Sequence, residues 1–273
     1  MPGKLTVCPT PIGNIGDVTE RVKTALHEAD AIACEDTRRT GRLLELLEIQ
    51  GLRLVSYHEG NEADRARELV QQIERGANVA LVSDAGMPGI SDPGFKLIRA
   101  CIDRDLEVEV LPGASSIPVA LIASGLPTHR WRFQGFLPRR AGELERVLQS
   151  ADTTIAFESP RRLPESLAAL ASLAPDRPAA VCRELTKMHE EVARGTLGEL
   201  SRRFRDEVRG EIVVVIAPAS GGATPDIGFA VDALRGLVRA GARPRSAAGV
   251  VSALTGVPAN DLYRQLTGRE PRR

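Results

Sequence analysis

The segment best suited to bind a ligand spans positions 83–94, directly after an apolar stretch that predicts a strand. It reads Ser-Asp-Ala-Gly-Met-Pro-Gly-Ile-Ser-Asp-Pro-Gly and places two acids, Asp84 and Asp92, among glycines and prolines. Such a loop buries little apolar surface of its own, so its backbone N–H groups and the Asp84 carboxylate would serve a polar ligand. A surface loop without a ligand would not need both acids at a strand end.

Further polar segments follow other predicted strands. They read Pro-Thr-Pro-Ile-Gly-Asn at 9–14, Glu-Asp-Thr-Arg-Arg-Thr at 35–40, Ser-Tyr-His-Glu-Gly-Asn at 56–61 and Leu-Pro-Gly-Ala-Ser-Ser at 111–116. Gly13 would let the backbone approach a ligand, and Ser115 or Ser116 would cap a helix or donate to a ligand. Each segment alone is as typical of a turn, a cap or an ion pair, but their convergence at one sheet edge predicts a site.

Arginine pairs stand at predicted strand ends in the second half of the chain, at positions 139–140 and 161–162. Guanidinium groups contact phosphates in a bidentate way, so an RNA backbone is a physically sensible partner. Ordinary solvated arginines are the alternative. The chain as a whole gives no electrostatic preference, because 36 Lys and Arg balance 36 Asp and Glu.

Cysteine usage and apolar runs indicate the compartment. Cys8, Cys34, Cys101 and Cys182 lie far apart in apolar stretches without Cys-x-x-Cys spacing, which predicts buried free thiols and no metal site. No run has the form of a signal peptide or the roughly 18 apolar residues of a membrane span. We therefore expect a cytoplasmic protein. Dinucleotide-binding, Walker, zinc-protease and esterase motifs do not occur, so those enzyme classes lack support.

The elements that must position these residues alternate in the first half of the chain. Strands are predicted over 5–9, 31–34, 52–57, 79–83 and 108–111, and helices over 18–29, 40–47, 62–75, 95–103 and 117–123. Asn61 is predicted to cap the third helix. This alternation is typical of a parallel α/β sheet, and we place it in a first domain, residues 1–126, which ends at the helix stop Ser-Gly-Leu-Pro-Thr.

A second α/β domain is predicted over residues 127–219. Its strands are expected over 131–136, 153–157, 179–183, 190–195 and 211–217, and its helices over 142–148, 164–173 and 197–204. The segment 218–225 is typical of a flexible linker. Residues 226–268 predict a small helical domain whose last two helices, 246–254 and 260–266, look like a helix-turn-helix, although a bundle packed on the body fits equally well.

Seven motifs together resemble one family. They are Pro-Thr-Pro-Ile-Gly-Asn at 9–14, Glu-Asp-Thr-Arg at 35–38, Ser-Asp-Ala-Gly at 83–86, Ile-Ser-Asp-Pro-Gly at 90–94, Ser-Gly-Leu-Pro-Thr at 124–128, Gly-Phe-Leu-Pro at 135–138 and Glu-Ser-Pro-Arg at 158–161. This set is similar to the ribosomal RNA small subunit methyltransferase I family of the tetrapyrrole methylase superfamily. The sequence around Met87 and Gly89 departs from the commoner family pattern.

The resemblance implies two α/β domains with S-adenosylmethionine in the cleft between them, a helical C-terminal domain and a homodimer. It also implies 2′-O-methylation of a decoding-centre cytidine in 16S ribosomal RNA, so the expected partner is that RNA or the small ribosomal subunit. The residues that it assigns to the donor pocket are Pro11, Gly13, Ser83, Asp84, Ala85, Gly86, Ser115, Phe157 and Glu158.

A ribose hydroxyl is a poor nucleophile at neutral pH, so this reaction needs a base or a charge-balancing site. The candidates are Glu35, Asp36 and His58. The residues expected to contact the RNA are Arg38, Arg139, Arg140, Arg161 and Arg162.

Two other functions remain open. A methyltransferase of the same fold would act on a tetrapyrrole carbon, but it would need a broad apolar cleft rather than arginine pairs. A nucleic-acid-binding regulator would use residues 246–266 and sense a ligand with its α/β body.

Overall fold

The computed structural model describes residues 1–219 and 227–267, so most of the predicted linker at 218–225 lies outside the described residues. Within them the chain forms two five-stranded sheets, each covered by helices, followed by three helices. The boundary predicted after residue 126 falls between a helix of the first half and a strand of the second, and it stays a prediction.

The first sheet is wholly parallel and has the strand order β3-β2-β4-β1-β5. Its strands are β1 (Lys4–Val7), β2 (Ala31–Cys34), β3 (Leu54–Ser56), β4 (Val79–Leu81) and β5 (Glu107–Val110). Its helices are α1 (Glu20–His27), α2 (Thr37–Leu46), α3 (Glu62–Glu74), α4 (Phe95–Ile102) and α5 (Ser116–Ser124). Every residue of β2 and β4 is buried, as expected where helices cover both faces of a parallel sheet.

This topology fixes where a site can form. Because all five strands are parallel, their carboxyl ends lie at the same edge, and the polar loops predicted from the sequence all leave the sheet there. The strands predicted to end at Pro9, Tyr57 and Ser83 end one or two residues earlier, so these positions belong to the loops.

Asn61 precedes α3 as predicted, but its side chain does not cap that helix. Its Oδ1 instead accepts a hydrogen bond from the backbone N–H of His58 at 2.9 Å, and its Nδ2 donates to the carbonyl of Ser56 at 3.1 Å. The prediction of a side-chain cap was therefore wrong, because the amide closes the preceding loop.

The second sheet is mixed and has the order β6-β7-β10-β8-β9, with only the β6–β7 pair parallel. Its strands are β6 (Trp131–Phe136), β7 (Thr153–Glu158), β8 (Pro178–Arg183), β9 (Glu191–Thr196) and β10 (Ile212–Ile216). Its helices are α6 (Ala141–Leu148), α7 (Leu163–Leu173) and α8 (Leu197–Arg203). The central strand β10 reads Ile-Val-Val-Val-Ile and is buried throughout.

Helix α5 joins the two sheets. It follows β5 of the first sheet, yet its residues Ile117 and Leu121 pack in one apolar cluster with Ile155 and Val215 of the second sheet. The helix ends where Gly125 adopts a φ of 71°, the left-handed conformation that glycine tolerates, so the predicted helix stop is confirmed. The start of α5 is thereby held against the second sheet.

The C-terminal helices form a core of their own. They are α9 (Ile227–Arg239), α10 (Pro244–Thr255) and α11 (Ala259–Thr267). Ala230, Leu234, Val251 and Leu262 are buried together among them.

The four cysteines of the chain are buried and free, as predicted. Within the two described ranges, no helix has the length and apolarity required to cross a membrane.

Candidate active site

A cavity of about 430 Å³ lies between the two sheets. Loops at the carboxyl edge of the first sheet supply one wall, and strand ends of the second sheet supply the other. Its lining residues include Ile12, Glu35, Arg39, Asp84–Met87, Ile90, Asp92 and Ser115–Ile117 from the first half of the chain. Those from the second half include Phe136, Phe157–Pro160, Cys182, Leu185 and Gly210–Val213.

The loops after β1 and β4 are joined to each other beside this cavity. Thr10 and Gly86 exchange two backbone hydrogen bonds, of 2.9 and 3.0 Å, and form an isolated antiparallel bridge. The Thr10 hydroxyl also donates to the carbonyl of Ser83 at 3.0 Å. The buried Ser83 hydroxyl lies 3.3 Å from the carbonyl oxygen of Gly86. These bonds fix the wall that Asp84, Ala85 and Gly86 present to the cavity.

Asp84 links the loops after β2 and β4. Its Oδ1 accepts a hydrogen bond from the backbone N–H of Asp36 at 3.1 Å, and its Oδ2 pairs with the Arg39 guanidinium at 3.2 Å. Among the described residues, Arg39 is the only cationic side chain that lines the cavity, whereas five lining side chains are acidic. The cavity is therefore suited to a ligand that carries positive charge.

Two of these carboxyl groups hold protons unusually well. Burial, followed by repulsion from Asp84, raises the pKa of Glu35 above its ordinary 4.5. Burial and then repulsion from Glu35 raise the pKa of Asp92 from 3.8 to about 6. The Glu35 carboxylate has no hydrogen bond or ion pair to another residue of the described chain. Perturbed carboxyl groups that face a cleft are typical of proton-transfer sites.

Six of the nine residues predicted for the donor pocket line the cavity: Asp84, Ala85, Gly86, Ser115, Phe157 and Glu158. Ser115 stands at the N-cap position of α5 without a side-chain capping bond. Glu158 is almost completely buried, and its carboxylate accepts hydrogen bonds from the Ser166 hydroxyl at 2.5 Å and the Ser159 N–H at 2.7 Å. Donor contact by these six residues stays a prediction.

Pro11, Gly13 and Ser83 do not line the cavity, and Ile12 does so instead. A Cβ at Gly13 would lie 2.4 Å from Cγ of Lys187 and 2.7 Å from the hydroxyl of Thr186. The glycine thus lets the first loop approach the turn after β8 rather than a ligand. The backbone N–H of Asn14 donates to the Thr186 hydroxyl at 3.2 Å and strengthens this contact.

Of the three candidate bases, only Glu35 lines the cavity. The Asp36 carboxylate caps α2 by accepting from the Arg38 N–H at 2.8 Å, and the Arg38 side chain holds the pKa of Asp36 down at about 2. His58 is exposed, and its Nδ1 accepts a hydrogen bond from the Gly60 N–H at 3.2 Å. Asp36 and His58 thus make these local contacts, and their role as bases stays a prediction.

The arginines predicted to contact RNA fall into two groups. Arg38, Arg139, Arg140 and Arg161 are exposed. Arg162 is half-buried, and its guanidinium donates to the Leu137 carbonyl at 3.1 Å and pairs with Glu158 at 3.3 Å. Its positive charge is paired with Glu158 inside the second α/β unit. Arg162 therefore differs from the four exposed arginines.

Asp92 and Glu211 line the cavity but were not among the predicted site residues. Asp92 lies in the loop at 83–94 and was recognisable from its place beside Pro93 and Gly94. Glu211 precedes β10, and no sequence signal marks it. Because β10 runs antiparallel to β7 and β8, its first residue, Ile212, pairs with Glu158 at the carboxyl end of β7. A strand beginning, rather than a strand end, thus faces the cavity.

Comparison with known proteins defines the class. Residues 4–201 match the family model of tetrapyrrole (corrin/porphyrin) methylases. Diphthine synthase has a similar fold, with a TM-score of 0.61 at 17% identity over 79% of this chain and 90% of that one. Uroporphyrin-III C-methyltransferase from Thermus thermophilus, complexed with S-adenosyl homocysteine, gives 0.55 at 20% over 79% and 97%. The chain belongs to the tetrapyrrole methylase family, and the predicted fold class is confirmed.

The curated relatives are more specific. Ribosomal RNA small subunit methyltransferase I of Micromonospora olivasterospora is 45% identical over 271 residues, which cover 97% of this chain and 86% of that protein. The protein of the same name from Mycobacterium tuberculosis is 43% identical over 268 residues, covering 96% and 93%. The resemblance that the seven motifs indicated is confirmed.

Proposed function

We propose that this protein transfers a methyl group from S-adenosylmethionine to the ribose 2′-oxygen of a decoding-centre cytidine in 16S ribosomal RNA. The observation that carries the proposal is the 45% identity, over 97% of the chain, to a ribosomal RNA small subunit methyltransferase I. The acceptor is the RNA itself or the small subunit that contains it, and the proposed location is the cytoplasm.

The cavity fits S-adenosylmethionine. Its volume of about 430 Å³ lies within the range of small-molecule sites, and its walls combine apolar side chains with acids. Within the described chain the Ser115 hydroxyl is not used for capping and the Glu35 carboxylate is not paired, so both are available to a ligand. When bound, the donor supplies an already activated methyl group on a positively charged sulfur. The acidic lining favours that charge.

The protein's own contribution is to align the acceptor hydroxyl and to exclude water. The bridge between Thr10 and Gly86 and the Asp84–Arg39 ion pair hold one wall of the cavity rigid for this purpose. We assign the removal of the hydroxyl proton to Glu35. Its raised pKa brings it closer to neutrality than an ordinary glutamate, which suits a general base.

The exposed guanidinium groups of Arg38, Arg139, Arg140 and Arg161 are proposed to contact phosphates around the target nucleotide. A homodimer is proposed as the working form. A partner subunit would cover large apolar side chains that are exposed on β5, α5 and β6: Val110, Val119, Ile122 and Trp131.

The test is methyl transfer from labelled S-adenosylmethionine to purified small subunits that lack the modification, with a tetrapyrrole acceptor as a parallel sample. The proposal expects label in the RNA only, and label in the tetrapyrrole only would overturn it. Glu35→Ala should lower kcat by about 10²- to 10⁴-fold with little change in donor affinity. Glu59→Ala, which alters an exposed acid on a nearby loop, is the matched control.

A further inference from the structure

Two large apolar side chains that line the cavity are also exposed to solvent. Phe136 is 56% exposed and Ile90 is 39% exposed. Ile12, Ile117 and Val213 of the lining are buried, and Met87 and Phe157 are half-buried. Ile90 belongs to the loop after β4 and Phe136 to the end of β6, so each α/β unit contributes one of them.

The backbone at the end of β6 is specialised to present Phe136. The pairing register between β6 and β7 shifts between Phe133 and Phe136, and Gly135 adopts a φ of 75° within that shift. Irregularities of this kind re-aim a side chain. Phe136 then packs edge-on against Phe157, with ring centroids 5.8 Å apart, and Phe157 packs in the same way on Phe133 at 4.9 Å. The exposed ring is therefore supported from behind.

Cationic side chains follow Phe136 within four residues. Arg139 and Arg140 are both exposed, and in the described part of the chain Arg139 has no carboxylate within salt-bridge distance. The short segment that joins Phe136 to these arginines is anchored, because Arg162 donates a hydrogen bond to the carbonyl of Leu137. An exposed aromatic ring followed by exposed guanidinium groups is the combination by which proteins hold unpaired nucleotides, through stacking on the base and contact with the phosphate.

We propose that Phe136 and Ile90 receive the nucleobase of the target nucleotide, turned out of its stack, between the two α/β units. This inference rests on the proposed function, because it takes RNA as the acceptor. A ribose that reaches a cavity between two sheets brings its base with it, and enzymes that extrude a nucleotide hold the base between aromatic and apolar side chains. The base then lies at the cavity mouth while the ribose faces Glu35.

The experiment compares steady-state methylation of unmodified small subunits with calorimetric donor binding for four variants. Stacking predicts that Phe136→Ala lowers kcat/KM for the subunit by about 5- to 150-fold while donor Kd stays unchanged. Phe136→Tyr should retain the activity, because it keeps the ring. Ile90→Ala should show a smaller loss of the same kind. Phe95→Ala is the matched control, since that ring is 70% exposed but does not line the cavity.

Three results would overturn the inference: equal kcat/KM for Phe136→Ala and wild type, equal losses in Phe136→Ala and Phe136→Tyr, or a loss of donor affinity that matches the loss of activity. Thermal unfolding of each variant separates misfolding from the removal of the stacking ring, and Phe136→Tyr tests the ring in a folded protein. Wild-type protein that labels no RNA would instead refute the proposed function, so the two failures are distinguishable.

Discussion

Tyr57 donates a hydrogen bond from its hydroxyl to Oε1 of Glu62 at 3.1 Å, and both side chains are buried outside the cavity. The same Oε1 accepts the backbone N–H of Gly94 at 3.0 Å, and the Tyr57 oxygen accepts the N–H of Leu97 at 3.2 Å. Gly94 offers no side-chain cap to α4, so this pair satisfies N–H groups that the helix start leaves open. It also fixes the end of the loop that carries Asp92.

Tyr57→Phe should therefore destabilise the protein by about 1–2 kcal/mol, because Glu62 and the Leu97 N–H lose a buried partner. Urea unfolding measures the change. Tyr263→Phe is the control, since the Tyr263 hydroxyl makes no hydrogen bond within the described residues and its removal should change little. Equal stabilities for Tyr57→Phe and wild type would show that the pair does not hold α4.

Asp92 should make stability depend on pH. Its pKa of about 6 in the folded protein lies above the ordinary 3.8, because of burial and then repulsion from Glu35. The folded state thus binds this proton more tightly, and the resulting stabilisation is fully present below pH 3.8 and lost as the pH rises through 6. At pH 8 the Asp92 carboxyl group is ionised while it is partly buried, which disfavours the folded state.

Asp92→Asn should accordingly raise stability at pH 8 by about 1–2 kcal/mol, less than the full shift implies because water reaches part of the side chain. At pH 4 the variant and wild type should differ little. Thermal unfolding at the two pH values provides the measurement, with the exposed Asp17→Asn as control. A gain that is the same at both pH values would contradict the assignment.

Gly13→Ala should cost about 1–3 kcal/mol, because the added methyl group would overlap Lys187 and Thr186. Gly142→Ala is the matched control: a Cβ there has no neighbour within 4 Å, and alanine favours the helix α6 in which it lies. The control should be slightly stabilising in the same denaturation experiment. If Gly13→Ala were as stable as wild type, the close approach of the two loops would not matter for stability.

Replacing Arg139 and Arg140 together by alanine should weaken binding to the small subunit and lower the salt dependence of log K by about 1 for each phosphate that the variant no longer neutralises. Filter binding over a range of salt concentrations measures both. Arg162→Ala should behave differently and lower stability, because it leaves Glu158 buried without its ion pair. An unchanged salt slope in the double variant would remove these residues from the RNA interface.

The sequence predicted the parts of the site that depend only on strand direction. Asp84, Ser115 and Glu35 each follow a parallel strand, so their convergence followed from the topology. The contribution of Glu211 could not be predicted, because it requires the antiparallel course of β10 through the middle of the second sheet.

What a residue does locally was harder to predict from the sequence than whether it lies near the site. Gly13 carries the same sequence signal whether its backbone approaches a ligand or a neighbouring loop, and only the turn at Thr186 and Lys187 decides between them. Arg162 belongs to an arginine pair that nothing in the sequence divides, and only the structure shows that it pairs with Glu158 at the end of β7. Asp36 was not recognised as a helix cap, because the helix was predicted to begin at Thr40 whereas α2 begins at Thr37.

The central claim is that the methyl group reaches a ribose oxygen of 16S ribosomal RNA. The most direct test is to label unmodified small subunits with the wild-type protein, hydrolyse the RNA with alkali and analyse the products by mass spectrometry. A 2′-O-methyl group blocks alkaline cleavage at its own nucleotide, so the account predicts label in one alkali-resistant dinucleotide that begins with cytidine. Label on a base, which leaves every linkage cleavable, or no label in the RNA would contradict it.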